Sequence, residues 1–272
     1  MRVPILTWHS NNVAGGEYAG NDLVAFARDL RLIDDLGLRI VPVQRVVDCL
    51  LGRDGADLRG CVALTCDDGT DLDFRDLVHP EHGPQRSFAH SLRAFREERG
   101  MSAQPELNLT SFVIADPAAR AKMEQDCLGG NRWLDDGWWG EAEASGLISI
   151  ENHSWDHNHP CLPSPGPHAL VRGDFHALGD DAQARFEIAQ AQDFIERRSG
   201  RRPRLFCYPF GHVSPFVRDW LERNGPELGL DAAFGDGATV VTEASDRWNL
   251  PRYICGWHWR TPEELAAILS ER

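Results

Sequence analysis

The sequence predicts an α/β fold in which parallel strands, joined by crossover helices, form an open sheet or a barrel. Apolar strand patterns alternate with helical patterns along most of the chain, which is typical of repeated strand–helix–strand units. The length of 272 residues is typical of a (β/α) barrel. Clusters of Asp and His directly follow several predicted strands, where α/β folds carry their functional sites. No internal repeat or long linker interrupts the pattern, so we predict one domain over residues 1–272.

Charge and composition exclude several classes of function. Asp and Glu (42) outnumber Lys and Arg (28), and the net charge of −14 argues against binding to nucleic acid or anionic lipid. No apolar run approaches the roughly 20 residues of a membrane-spanning helix, and no signal peptide is recognisable, which predicts a cytoplasmic protein. The seven cysteines form no Cys-x-x-Cys pair, so we expect reduced thiols and neither a disulfide framework nor a cysteine zinc site. The sequence leaves the oligomeric state open.

In the first half of the chain, Asn21 is placed to cap a helix whose apolar residues recur every three or four positions and which ends at Gly37. The predicted elements that follow are a strand at 38–43, a helix around 46–51, a strand at 61–66, a helix from Phe88 to Gly100 and a strand at 107–114.

In the second half, the same patterns continue to the last predicted helix. The predicted elements are a short helix from Trp138 to Gly146, a strand at 147–151, a helix along Ala184, Ile188, Ala191 and Ile195 that ends at Gly200, and a strand at 204–208. Ser214 and Thr261, each followed by Pro, are N-cap residues of two further helices. Glu264 completes a capping box with Thr261.

Two irregular stretches, residues 70–86 and 159–181, are rich in Pro, Gly, Asp and His. We predict loops in both, which either are solvated or form the wall of a substrate cleft. The histidines of the second stretch, His159, His168 and His176, lack the spacing of a metal site and are predicted to be loop residues.

The first chemical cluster is Thr-Cys-Asp-Asp-Gly at residues 65–69, at the end of a predicted strand. Carboxylates at the mouth of a buried strand are partly desolvated and need a hydrogen-bonding partner or a cation. Asp67 and Asp68 are therefore candidates for acid–base chemistry or metal binding. The alternative is a simple turn, because Asp-Gly is a common turn pair.

The second cluster is Asn-His-Ser-Trp-Asp-His at residues 152–157. His153 and His157 are four residues apart, which predicts a helical turn with both rings on one side, able to bind one metal ion. A carboxylate from another strand end would complete three ligands and leave a fourth position open, as in catalytic zinc sites. The alternative is a pair of surface histidines.

The third cluster is Leu-Phe-Cys-Tyr-Pro-Phe-Gly at residues 205–211. Pro209 and Gly211 bracket a tight turn at a strand end, which would direct the backbone N–H of Phe210 into a cleft as an oxyanion donor. The alternative is a turn that only ends the strand.

The order and spacing of these clusters resemble the polysaccharide deacetylases of carbohydrate esterase family four. The family's first motif, Thr-Phe-Asp-Asp-Gly, corresponds to residues 65–69, its second, His-Ser/Thr-x-x-His, to 153–157, and its third, ending Pro-Tyr-Gly, to 209–211. Segments 5–9 and 109–114 are similar to further strands of the family, so the resemblance spans nearly the whole chain. It implies a distorted (β/α) barrel with about seven parallel strands.

The resemblance also implies roles for the residues of the first two motifs. Asp67 corresponds to the general base, and Asp68, His153 and His157 correspond to the ligands of one divalent metal ion, zinc or alternatively cobalt or nickel. Such an ion polarises an acyl carbonyl and lowers the pKa of bound water, while a free carboxylate removes the water's proton.

The resemblance also implies substrate-binding residues and a general acid outside the first two motifs. Phe210 and Tyr208 correspond to substrate-binding positions. His9, after the first strand, is similar in position to the general acid of the biofilm-polysaccharide N-deacetylases in the family, and His258 is the alternative. Histidine suits this role because its ordinary pKa near 6.5 allows both protonation states near neutrality.

The chain departs from the family where many members have an Arg that orients the base. Cys207 occupies that position, and Arg252 is a candidate substitute. Seven tryptophans are predicted to pack in the core or a wall of the fold, with stacking on sugar rings as the alternative. They are Trp133, Trp138, Trp139, Trp155, Trp248, Trp257 and Trp259.

The function implied by the resemblance is metal-dependent removal of N-acetyl, or O-acetyl, groups from an amino-sugar-containing saccharide. One alternative on the same fold is ring-opening hydrolysis of a small cyclic amide or imide. Another is a catalytically silent carbohydrate-binding protein, for which the loss of the motif Arg would be evidence.

Overall fold

The computed structural model describes residues 1–163 and 171–270. The strands are β1 (Arg2–Val3), β2 (Ile5–Trp8), β3 (Arg39–Ile40), β4 (Cys61–Cys66), β5 (Leu77–His79), β6 (Gly83–Gln85), β7 (Leu109–Val113), β8 (Ile148–Asn152), β9 (Leu205–Cys207), β10 (Ala232–Phe234), β11 (Val241–Thr242) and β12 (Tyr253–Ile254). Seven of these described strands form one parallel sheet in the order β10-β9-β8-β7-β4-β2-β12, and β3 pairs with β4. The predicted parallel α/β architecture is confirmed.

The segment that leads into β12 joins the two ends of this sheet. Phe234, at the end of β10, forms a parallel bridge with Leu250. A few residues later β12 pairs with β2 at the other end, with Tyr253 opposite Leu6. The sheet is therefore curled into a distorted barrel and is not an open sheet.

Alternate residues along the strands face the barrel interior and the helices outside it. Ile5 and Ala63 belong to the inner apolar cluster, whereas Leu64 packs in the cluster beneath the helices. Continuing the alternation from Ala63 through Thr65 directs Asp67 toward the interior at the carboxyl end of β4. The strand period thus places this carboxylate at the mouth of the barrel.

Helices surround the barrel, and all of them except α4 lie where the sequence predicts a helix. They are α1 (Asp22–Asp35), α2 (Val43–Leu50), α3 (Phe88–Arg99), α4 (Pro117–Cys127), α5 (Trp139–Ser145), α6 (Asp181–Ala184), α7 (Gln190–Ser199), α8 (Pro215–Asn224) and α9 (Pro262–Ser270). A π turn at Arg185–Ala189 joins α6 to α7, so the helix predicted along this stretch is continuous.

The predicted helix cap at Asn21 is confirmed, and the capping box at Thr261 and Glu264 forms only in part. The Asn21 side chain accepts hydrogen bonds from the backbone N–H groups of Leu23 and Val24. Thr261 Oγ1 accepts from the N–H of Glu264, but the Glu264 carboxylate accepts from Arg260 N–H instead of closing the capping box.

Three local predictions differ from the structure. The strand predicted at 38–43 is reduced to β3, because Pro42 precedes α2 directly. Helix α4 was not predicted. The stretch 70–86 contains the antiparallel hairpin β5–β6.

The second irregular stretch is only partly described. Residues 164–170, including His168, lie outside the described residues, and Phe175–Ala177 forms one short 3₁₀ turn. Among the described ranges, no helix has the length and apolarity needed to cross a bilayer.

Candidate active site

The first motif separates its two carboxylates by an abrupt turn after β4. Asp68 and Gly69 both have left-handed backbone conformations, with φ of 75° and 70°. A Cβ atom on Gly69 would lie 2.6 Å from Val113 Cγ1, so the turn requires glycine here. The turn directs the side chains of Asp67 and Asp68 to different partners.

Asp67 forms a buried, bidentate ion pair with Arg252. Both guanidinium NH₂ groups donate to the carboxylate at 2.8 Å, and the Arg252 side chain is 1% exposed. Burial alone would raise the pKa of Asp67, but the Arg252 guanidinium outweighs burial and holds this pKa well below its usual range. Asp67 is therefore ionised, and Arg252, the candidate substitute for the motif Arg, is its hydrogen-bonding partner.

The second motif is not a helical turn, so that prediction is wrong. Residues 153–158 form a loop after β8, because Ser154, His157 and Asn158 have positive φ angles of 73°, 62° and 44°. Ser154 Oγ accepts a hydrogen bond from His157 N–H and holds the loop closed. The loop still brings the rings of His153 and His157 together, with centroids 4.8 Å apart.

The rings of the second motif face Asp68. Nε2 of His153 and of His157 lie 3.8 Å and 3.7 Å from Asp68 Oδ1. Nδ1 of His153 donates to the Cys207 carbonyl at 2.9 Å, which leaves a lone pair on Nε2. Burial lowers the pKa of both rings, to about 3 for His157, so both are neutral.

These three side chains fit a divalent metal ion. Their candidate ligand atoms all lie within 4.8 Å of one another, and two neutral imidazoles with one carboxylate form a donor set that zinc accepts. His157 Nδ1 is buried without a hydrogen-bond partner in the described part of the chain. Asp67, His153 and Cys207 also lie together, but the Arg252 guanidinium already contacts Asp67 and Cys207 Sγ and disfavours a cation there.

Of the two candidate acids, the structure brings His9 to the site. His9 Nε2 lies 3.9 Å from Asp67 Oδ2, and its side chain is partly exposed to the cleft. The ring of His258 instead accepts a hydrogen bond at Nδ1 from the backbone N–H of Ile254 at 2.7 Å. His258 is a local structural contact in the turn after β12.

The third motif contributes Phe210 to the site but not Tyr208. Phe210 has a left-handed backbone (φ 58°), and its ring packs edge-on against that of His157. Tyr208 is fully buried, and its hydroxyl donates to the Trp248 carbonyl at 2.8 Å. The expected contact of Tyr208 with substrate therefore needs correction: its side chain packs beneath the site.

The site lies at the base of a cleft of about 740 Å³ at the carboxyl end of the barrel. Trp257 lines the rim of this cleft and is 82% exposed, so the packing prediction is wrong for it, whereas Trp138, Trp139 and Trp259 are buried as expected. His159 and His176, from the second irregular stretch, also line the cleft. The prediction that this stretch forms a cleft wall is thus supported by its described residues.

Two further polar residues at the site were missed by the sequence analysis. Asn11 Nδ2 donates to Asp68 Oδ2 at 3.1 Å. Asp73 is buried behind the first motif and accepts hydrogen bonds from the hydroxyls of Ser10 and Ser111. Proximity to a strand end was a signal for Asn11, whereas Asp73 lies in a stretch that was predicted to be a loop.

Comparison with known proteins identifies the family of the chain. The family model described as polysaccharide deacetylase matches residues 54–228, which contain the first two motifs and the turn 209–211. The chain belongs to the polysaccharide deacetylase family.

Solved structures share the fold of this polysaccharide deacetylase family member at low sequence identity. A Streptococcus pyogenes deacetylase, PplD, in complex with acetate is 16% identical with a TM-score of 0.65, covering 99% of this chain and 98% of its own. IcaB from Ammonifex degensii is 19% identical with a TM-score of 0.63, covering 99% of both chains. A de-N-acetylase from Aggregatibacter actinomycetemcomitans is 15% identical with a TM-score of 0.63, covering 98% of this chain and 100% of its own. No curated protein matches the chain.

Proposed function

We propose that this protein is a metal-dependent hydrolase that removes N-acetyl groups from an amino-sugar-containing saccharide. The observation that carries the proposal is the arrangement around the first motif. Asp68 joins two neutral histidines in a candidate metal-binding set, while the neighbouring Asp67 is ionised and held by Arg252. One carboxylate is thus available as a ligand and the other as a base.

We assign one group of the site to each step of amide hydrolysis. The metal ion, when bound, polarises the acetyl carbonyl and makes water a better nucleophile. Asp67 accepts the proton of the attacking water. The backbone N–H of Phe210 donates to the carbonyl oxygen as negative charge develops there. His9 gives a proton to the amine nitrogen as the carbon–nitrogen bond breaks, and acetate and the free amine leave.

The shape of the cleft favours a saccharide over a small cyclic amide. The cleft is broad for one small ring, and the exposed ring of Trp257 at its rim offers an apolar face to solvent. Aromatic faces of this kind stack on the apolar faces of sugars. The structural neighbours include deacetylases and a de-N-acetylase, which supports the same choice.

The proposal is tested by measuring acetate release from N-acetylated and O-acetylated saccharides, before and after treatment with a chelator. We expect release from an N-acetylated substrate, loss of activity with chelator, and recovery when zinc, cobalt or nickel is added back. Hydrolysis of cyclic amides without acetate release would favour the ring-opening alternative. Activity that survives complete metal removal would contradict the proposal.

His9→Ala is expected to lower turnover by roughly 10²–10⁴-fold, the usual contribution of general acid–base catalysis. The metal content should not change, because His9 is not one of the three proposed ligands. Turnover is measured under saturating substrate, and metal content by elemental analysis.

His258→Ala is the matched control for this prediction. It removes an imidazole that accepts the Ile254 N–H, so we expect a lower melting temperature but nearly unchanged turnover. Near-normal turnover of the His9 variant, together with a folded but inactive His258 variant, would reverse the assignment of the acid.

A further inference from the structure

A second group of metal-binding side chains lies beside the proposed catalytic set. Cys127 is the last residue of α4, and His159 and Cys161 follow the loop that carries His157. The thiol sulfurs and one imidazole nitrogen lie within 4.8 Å of one another. His159 Nδ1 and Cys161 Sγ are 3.1 Å apart. The cysteines are 34 positions apart in sequence, which is why spacing alone did not predict the pair.

We propose that Cys127, His159 and Cys161 form a second metal site, selective for a thiophilic divalent cation such as zinc. In a tetrahedral zinc site, metal–sulfur bonds of about 2.3 Å and metal–nitrogen bonds of about 2.0 Å place ligand atoms roughly 3.3–3.8 Å apart. The observed separations, all within 4.8 Å, are close to these values. The three protein ligands leave the fourth position to water.

The surroundings of the cluster favour a cation. Cys127 ends an α-helix of 11 residues, where the helix dipole attracts positive charge. The Asp126 carboxylate, adjacent in sequence, adds negative charge near the cluster, although its ion pair with Lys122 offsets part of that charge. Cys127 is exposed while the other two ligands are half-buried, so an ion can enter from solvent.

A metal ion here would fix one wall of the cleft. Cys127 and His159 both line the cleft, and the rings of His157 and His159 are 6.0 Å apart. The ion would tie the end of α4 to the loop that follows the second motif. The two sites differ in chemistry, since Asp68, His153 and His157 offer no sulfur, and thiolates select softer metals than carboxylates do.

The test is a cobalt titration of the metal-free, full-length protein in a thiol-free reductant. We expect two cobalt ions per chain and a near-ultraviolet charge-transfer band from cysteine thiolate to cobalt. The double variant Cys127→Ser/Cys161→Ser should bind one ion and lose the band. His153→Ala should also bind one ion but keep the band. Cys49→Ser, which changes a half-buried cysteine elsewhere, should retain both ions and the band.

The band separates this proposal from the catalytic one, because it reports sulfur ligands whether or not the first site is filled. A reduced wild-type protein that shows no thiolate band would overturn the proposal. So would a band that persists in the double cysteine variant. A Cys127–Cys161 disulfide in the protein purified without reductant, followed by no band after reduction, would show that the pair serves as a disulfide instead.

Discussion

Asp67→Asn is expected to lower turnover by at least 10²–10⁴-fold while the catalytic metal stays bound. Asp68→Asn is expected to lose that metal and activity together. The two substitutions are chemically identical and adjacent in sequence, so a difference in metal content between them would identify the role of each carboxylate.

The expected difference follows from where the first motif directs its side chains. Asp68 Oδ1 lies within 3.8 Å of both histidine Nε2 atoms, as a shared ligand requires. Both carboxylate oxygens of Asp67 instead accept hydrogen bonds from Arg252. An asparagine at position 67 keeps one acceptor for Arg252 but no longer takes a proton from water.

Elemental analysis and turnover of both variants check this prediction, and melting temperatures show that both are folded. Asp57→Asn is a matched control, because Asp57 is an exposed aspartate paired with Arg59 at the surface. It should change neither metal content nor turnover. An active Asp67→Asn enzyme would place the base elsewhere, and an Asp68→Asn enzyme with full metal content would remove Asp68 from the ligand set.

The sequence predicted the parts of the site that depend on strand ends. Parallel strands place their carboxyl ends at one edge, so motifs after β4, β8 and β9 had to meet there, and His9 after β2 with them. The loop geometry of 153–158 was not predictable from the spacing of two histidines. A helical turn brings residues i and i+4 together, and so does a loop with left-handed residues, so the spacing does not distinguish the two.

Other features depend on contacts that no local pattern encodes. Arg252 reaches Asp67 only because the segment before β12 closes the barrel between β10 and β2. Cys127 meets Cys161 because the start of α4 is held against the second motif, where Asp116 N–H donates to the Trp155 carbonyl. Helix α4 itself had a local signal, since Asp116 caps it and Pro117 occupies its first position, but its apolar periodicity is weak.

Arg252→Gln is expected to destabilise the protein by about 3–5 kcal/mol, because it leaves the buried Asp67 carboxylate without its cation. Arg252 also donates to the Gly235 carbonyl at 3.0 Å, so the substitution loosens the turn after β10 as well. Unfolding by denaturant measures the loss. Arg59→Gln, at an exposed ion pair, is the control and should leave stability nearly unchanged.

A charge swap tests whether Arg252 replaces the arginine that many family members have in the third motif. Cys207 Sγ lies 3.5 Å from Asp67 Oδ2 and 2.9 Å from the Arg252 guanidinium, so the two positions face the same carboxylate. The double variant Cys207→Arg/Arg252→Cys moves the cation from one position to the other. If the site needs only a guanidinium against Asp67, this variant should recover a substantial part of the turnover and stability lost in Arg252→Cys alone. If the single and double variants lose the same turnover and stability, an arginine at position 207 cannot replace Arg252. Arg252 would then act through its contacts with the segment that closes the barrel, such as the Gly235 carbonyl.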